Sequence, residues 1–150
     1  MAIPPREIFR INPIDEEKHV AVGIDLPLVD KNDVPFPQTY LTIDAAKANL
    51  KNLILTRKGE RPFQPFLGTS IYDFLFDNNI PEMLAKIETE INDAIAYWLP
   101  YIDVKLVDVR VADVQHGFSD RFNGVQIQID FSLKGNRFDE ESIVVVIGTE

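Results

Sequence analysis

The segment Pro81-Glu-Met-Leu-Ala-Lys-Ile-Glu-Thr-Glu-Ile-Asn-Asp-Ala-Ile-Ala-Tyr-Trp-Leu-Pro-Tyr-Ile-Asp-Val-Lys-Leu-Val-Asp-Val-Arg-Val111 decides the fold, because the spacing of its apolar residues changes once, at Pro100. Before that proline, Leu84, Ile87, Ile91, Ile95 and Trp98 recur every three or four residues, the spacing of one buried helical stripe. Pro81 suits a first helical turn. A helix is therefore predicted over about 81–98, with Glu82, Glu88, Glu90 and Asp93 beside one Lys86 on a solvated acidic face. After Pro100 the period is two. Ile102, Val104 and Leu106 share one parity and Val107, Val109 and Val111 the next, which predicts a strand with a bulge near Leu106 and Val107 where the inward side switches.

Downstream, Asn123-Gly124 precedes Val125, Ile127, Ile129, Phe131 and Leu133, which alternate with Gln126, Gln128 and Asp130: a strand with one wet face. Gly135-Asn136 reads as a turn, Asp139-Glu140-Glu141 as a solvated turn, and Ile143 to Ile147 as a short β-branched strand. Upstream, Ile43, Ala46, Leu50, Leu53 and Ile54 predict a helix from Asp44 to Thr56, capped by Asp44 or Thr42, ended by Gly59, and basic on its other side at Lys47, Lys51 and Lys58. The order of elements is that of an α+β fold: a small antiparallel sheet of three to four strands covered by two main helices.

Six of the ten prolines fall in the first 40 residues, so 1–40 reads as an extended arm and 41–150 as a single domain. Within the arm, Val20, Val22, Ile24 and Leu26 alternate weakly and fit one edge strand, stopped by Pro27 and Pro35-Phe-Pro37. The arm is either ordered by a partner or laid over its own domain.

The 15 Lys and Arg against 24 Asp and Glu give a net charge of −9, which opposes attraction to phosphate backbones and anionic membranes. Neither nucleic acid nor membrane is an expected partner. With no cysteine and only His19 and His116, thiolate and most zinc chemistry is excluded, and no metal or cofactor is expected. No apolar run approaches the roughly 20 residues that span a bilayer. The start, Met1-Ala-Ile-Pro-Pro-Arg, lacks the pattern of a signal peptide, so a soluble intracellular chain is expected.

Charge is unevenly distributed. Residues 41–68 hold five basic and two acidic side chains, +3 in a chain of −9. Arg57 and Arg61 offer planar forks suited to carboxylates of a partner or of this same chain. Phe63, Phe66, Phe74 and Phe76 follow closely, and a charged turn with aromatic anchors has the composition of an interface hot spot. Phe74 and Phe76 read first as closing the core between two helices.

The run Asn49-Leu-Lys-Asn-Leu-Ile-Leu-Thr-Arg-Lys-Gly-Glu-Arg-Pro-Phe-Gln-Pro-Phe-Leu-Gly68, with Leu75-Phe76-Asp77 after it, resembles the small baseplate wedge proteins of contractile phage tails, a family that includes a baseplate component of type VI secretion systems. The joint pattern is a helix ending in Thr-Arg-x-Gly-x-Arg-Pro, a glycine six residues after the proline, and a later Leu-Phe before an acidic residue. The resemblance covers roughly 44–148 and leaves the arm outside. It implies a structural component of the inner baseplate wedge that binds larger wedge proteins and templates the first ring of tail sheath, with six copies in a sixfold virion assembly built in the host cytoplasm.

On that resemblance, Arg57, Lys58, Gly59, Glu60, Arg61, Pro62 and Phe63 form a partner-binding turn. Ser142, Ile143, Val144, Val145, Val146, Ile147 and Gly148 form an edge strand to which sheath strands add. Many relatives in that family carry Glu-Pro-Arg between the long helix and the first strand, where this chain has Leu99-Pro100-Tyr101. The proline stays and both charges are absent, so docking there falls to apolar and aromatic contact from Leu99 and Tyr101, with Trp98.

Family members have been labelled lysozyme-like, and a glycosidase acting on peptidoglycan is one alternative. It needs two carboxyl groups across a cleft, one in an apolar setting. No acidic pair here has that placement, and Glu60 lies between Lys58 and Arg61, a charged setting unlike the apolar one a general acid needs. No catalytic residue is expected. The other alternative is a regulatory adaptor with a single one-to-one partner.

Overall fold

The computed structural model describes residues 15, 17, 19–25, 37–75, 80–112, 123–134 and 140–149. Its elements in chain order are β1 (Gly23–Ile24), β2 (Gln38–Thr39), α1 (Thr42–Leu55), α2 (Ile71–Phe74), α3 (Ile80–Trp98), β3 (Ile102–Val111), β4 (Asn123–Leu133) and β5 (Glu141–Thr149). The fold is α+β. β3, β4 and β5 form an antiparallel meander with β4 in the centre, and β1 and β2 form a separate antiparallel pair.

Among the described residues, the helices cover one face of the meander. Val125, Ile127, Ile129 and Phe131 of β4 and Ile143, Val145 and Ile147 of β5 are buried in one cluster with Leu50 and Ile54 of α1 and Ile87, Ile91 and Ile95 of α3. This arrangement follows from the two periods: every second strand residue and every third or fourth helical residue reaches the same layer. Full burial of each large aliphatic side chain contributes about 1.5–3 kcal/mol, and truncating Phe131 to alanine is expected to cost about 3–5 kcal/mol.

Three boundaries differ from the sequence reading. The register of β3 against β4 shifts between Val104 and Leu106, so the extra residue is Lys105. Leu106 already lies on the outer face, 52 % exposed, while Val107 and Val109 sit opposite Ile129 and Ile127 on the core face. α1 begins at Thr42, and neither Asp44 nor Thr42 caps it; Leu41 stands at the N-cap without a side-chain bond. The cap comes from the arm instead: Asp15 Oδ1 accepts from the Thr42 amide at 2.8 Å and the Thr42 hydroxyl at 2.7 Å. α1 ends at Leu55, where Thr56 turns extended, and not at Gly59.

Glu141 belongs to β5 and pairs with Lys47 of α1 at 2.9 Å, so it is not part of a solvated turn. The arm strand is shorter than predicted. β1 holds two residues and pairs with β2 rather than with the main sheet. A Cβ on Gly23 would stand 3.0 Å from Thr39 Oγ1 and 3.1 Å from Ala45 Cβ, so this part of the arm lies directly on α1. Leu26, Pro27, Pro35, Phe76, the Gly135-Asn136 turn and Asp139 lie outside the described residues.

Candidate functional site

The basic turn grows from the end of α1. Thr56 spends both its amide (3.1 Å) and its hydroxyl (2.6 Å) on the Asn52 carbonyl, which stops the helix and turns the chain outward. Twelve residues on, Gly68 takes φ +112, a conformation that glycine tolerates and other residues rarely adopt. A Cβ there would fall 2.2 Å from the Thr56 carbonyl oxygen. That close approach lets the Thr69 amide donate to Thr56 O at 2.9 Å and the Lys58 amide to Thr69 O at 3.2 Å, forming a short bridge between Arg57 and Thr69. The Thr69 side chain is buried and donates to the Ile54 carbonyl at 3.0 Å, satisfying an acceptor at the helix end.

Inside this closed stem, Gly59 donates to Pro65 O at 2.7 Å, and three tight turns follow through Arg57–Glu60, Arg61–Gln64 and Gln64–Leu67. The loop is thus a built Ω-type unit whose ends meet. Its tip is apolar and wet: Phe63 is 99 % exposed and Phe66 80 %. Phe74, by contrast, packs against the core.

The predicted charges divide by partner. Arg57 pairs with Asp73 of α2. Glu60 Oε2 accepts from the Arg57 amide at 3.1 Å and so serves the turn itself. Lys58 Nζ lies 2.5 Å from Glu90 Oε1 of α3, and the same oxygen accepts from the Ser70 amide at 3.1 Å. Glu90 is therefore not part of a solvated acidic face. Burial alone pushes its carboxyl up, but the Lys58 ammonium and the Ser70 amide and hydroxyl outweigh that and hold it below the usual carboxylate value. Arg61 donates to the Asn52 amide oxygen at 2.8 Å, and among the described residues no carboxylate pairs with it.

The junction after α3 splits the predicted pair. Leu99 is buried in the core cluster, while Tyr101 remains 39 % exposed with its hydroxyl accepting from Asn49 Nδ2 at 3.1 Å. Trp98 packs partly on the core and meets Tyr97 edge to face, ring centroids 5.0 Å apart at 82°. β5 is hydrogen-bonded to β4 alone among the described strands, which leaves it at a sheet edge. Along it Ile143, Val145 and Ile147 face the core, and Val144 and Val146 are 49 % and 38 % exposed on the outer face.

Several residues that organise the site carry no sequence signal of their own. Asn52, Asp73 and Glu90 receive the three basic side chains, at separations of 9, 16 and 32 residues. Among the described residues no group of three His, Asp or Glu side chains could hold a metal ion. No helix of the described residues is long and apolar enough to cross a membrane.

Residues 43–137 match the family model described as baseplate wedge protein gp25. The baseplate wedge protein gp25 of Enterobacteria phage T4 is 35 % identical over 103 residues, which cover 69 % of this chain and 73 % of that protein. In structure, the chain resembles a component of the anti-feeding prophage baseplate with a TM-score of 0.58 and 25 % identity, over 77 % of this chain and 86 % of the other. It shares its fold with a chain of the type VI secretion baseplate complex (TM-score 0.53, 15 % identity, 72 % and 93 % covered). It also shares it with a proposed tail lysozyme from Geobacter sulfurreducens (TM-score 0.55, 22 % identity, 67 % and 85 % covered). With the Thr56–Gly68 loop between its two main helices and the matched region running from α1 past β4, the chain belongs to the baseplate wedge protein gp25 family.

Proposed function

We propose that the chain is a non-enzymatic structural component of the inner baseplate wedge of a contractile phage tail, one copy per wedge and six in a sixfold particle, assembled in the host cytoplasm. It binds larger wedge proteins through the turn Arg57–Phe63 and the exposed ring of Tyr101, and templates the first sheath ring along Ser142–Gly148. The observation that carries this reading is the position of β5, a nine-residue strand at the edge of the meander. An edge strand exposes a row of N–H and C=O groups that pairs with an incoming strand. A buried face made by Ile143, Val145 and Ile147 keeps that edge from slipping in register, because a shift by one residue would expose all three.

The glycosidase alternative has less support. Glu90, which lines a groove together with Phe66, Tyr97 and Trp98, is held below the usual carboxylate value by Lys58 and Ser70, the opposite of what a general acid needs.

The test is a pair of prolines at Val144 and Val145. Successive residues of a strand direct their N–H groups to opposite sides within the sheet, so one proline removes a donor to β4 and the other removes a donor on the free edge. The variant that keeps its melting temperature identifies the free-edge donor. Baseplates that incorporate this variant but stay bare of sheath support templating; normal sheath growth on them refutes it. A chain that purifies in a stoichiometric pair with one partner and never enters a baseplate would favour the adaptor.

A further inference from the structure

Between the loop and the C-terminal half of α3 lies an open groove of about 450 Å³, and its walls are chemically specific. Phe66 of the loop and Tyr97 and Trp98 of α3 line it, with the small residues Gly68 and Ala94 between them in the lining set. Tyr97 is 76 % exposed although its ring is large and apolar. Two carboxylates, Glu90 and Asp93, also line it. Asp93 has no ion pair among the described residues. Glu90 uses one oxygen for both Lys58 and Ser70, and Lys58 is thereby already engaged.

We infer that this groove binds an arginine side chain, flanked by aliphatic residues, on a segment of a partner protein. A purely apolar occupant would cover Asp93 without pairing it, and burying an unpaired carboxylate is costly. An acidic occupant would meet Asp93 and Glu90 directly. A guanidinium fits both features: its plane stacks on the Tyr97, Trp98 or Phe66 face, and its forked donors reach the Asp93 carboxylate. Lysine offers neither the flat stacking surface nor the fork. Arginine and the aromatic residues are also the types that dominate interface energetics, so the pairing suits a central anchor rather than a rim contact. The identity of the partner as a wedge protein rests on the function proposed above, but the chemistry of the groove does not.

Trp98 is the single tryptophan of the chain and lines the groove, so its emission reports occupancy directly. The isolated full-length chain is titrated with the peptide acetyl-Ala-Leu-Arg-Leu-Ala-amide and with the same peptide carrying citrulline, a neutral isostere of arginine. The arginine peptide is expected to shift Trp98 emission saturably and to bind about fivefold more tightly than the citrulline peptide, the scale of one exposed cation–π contact plus one ion pair. Asp93→Asn and Tyr97→Ala, both at exposed positions, should each remove most of that preference while leaving the melting temperature unchanged. Equal responses to the two peptides, no response to either, or an unchanged preference in both variants would overturn the inference. Because no baseplate enters this experiment, failure of the groove and failure of the wedge assignment give separate results: co-sedimentation of the unaltered chain with purified wedge proteins examines the latter alone.

Discussion

Lys58 at the root of the loop reaches across 32 residues of chain to place its ammonium 2.5 Å from Glu90 Oε1 on α3. The contact ties the basic turn to the long helix, and the Ser70 amide on the same oxygen ties in the start of α2. Three segments thus meet on one carboxylate, whose side chain is 19 % exposed against 44 % for Lys58. The loop is fastened at its root to α3 and to the start of α2, and its apolar tip lies outside the core.

The pH dependence of that tie has a definite sign. Glu90 is held below its ordinary value of 4.5 in the folded chain, so its contribution is fully present above the unfolded-state value and is lost as the pH falls through the folded one. Glu90→Gln is expected to lower stability by about 1 kcal/mol at neutral pH. In urea titrations the gap between parent and variant should close below pH 4.5. A gap that is constant from pH 7 to pH 3 would show that the charge on Glu90 does not matter.

Gly68 and Gly59 make a controlled comparison. Both have positive φ, +112 and +87, but a Cβ at Gly68 meets the Thr56 carbonyl at 2.2 Å while one at Gly59 meets nothing within 4 Å. Gly59→Ala should cost about 1 kcal/mol from backbone strain alone. Gly68→Ala should cost about 3 kcal/mol or more, since the clash with backbone adds to the strain. Equal losses in denaturant titrations would mean that the stem does not need the close approach.

Asp15 caps a helix that begins 27 residues later. Asp15→Ala should lower stability by about 1 kcal/mol, the usual cost of a lost N-cap. Amide exchange should rise at Val22 and Asp25, whose N–H groups donate to Thr39 and Pro37, because the cap anchors this part of the arm to α1. Unchanged exchange at these two amides would separate the arm from the cap.

The loop tip predicts a split between folding and assembly. Phe63→Ser and Arg61→Ala alter a side chain that is 99 % exposed and one that, among the described residues, is bonded to the neutral amide of Asn52, so each should change stability by less than about 0.5 kcal/mol. Both should nonetheless reduce incorporation into wedges, measured by co-sedimentation with purified wedge proteins. A marked fall in melting temperature for Arg61→Ala would instead give Arg61 a folding role.

Periodicity by itself determined most of the fold of this protein. The three-and-four spacing of Leu84 to Trp98 and the alternation of Val125 to Phe131 are local patterns, and each follows from repeat geometry that the chain cannot escape once one face is buried. The Arg57–Gly68 motif was legible for the same reason, as a run of neighbours. What only the tertiary structure decided are the pairings across sequence distance. No spacing rule links Lys58 to Glu90, Arg57 to Asp73 or Asp15 to Thr42, because such contacts depend on which helix faces which after packing. The bulge moved to Lys105 because the register is set by β4 opposite, not by the parity of β3 alone. Leu99 and Phe63 make the same point: both read as contact residues in the sequence, and only packing separates them, burying Leu99 in the core while the closure of Gly68 on Thr56 leaves Phe63 exposed.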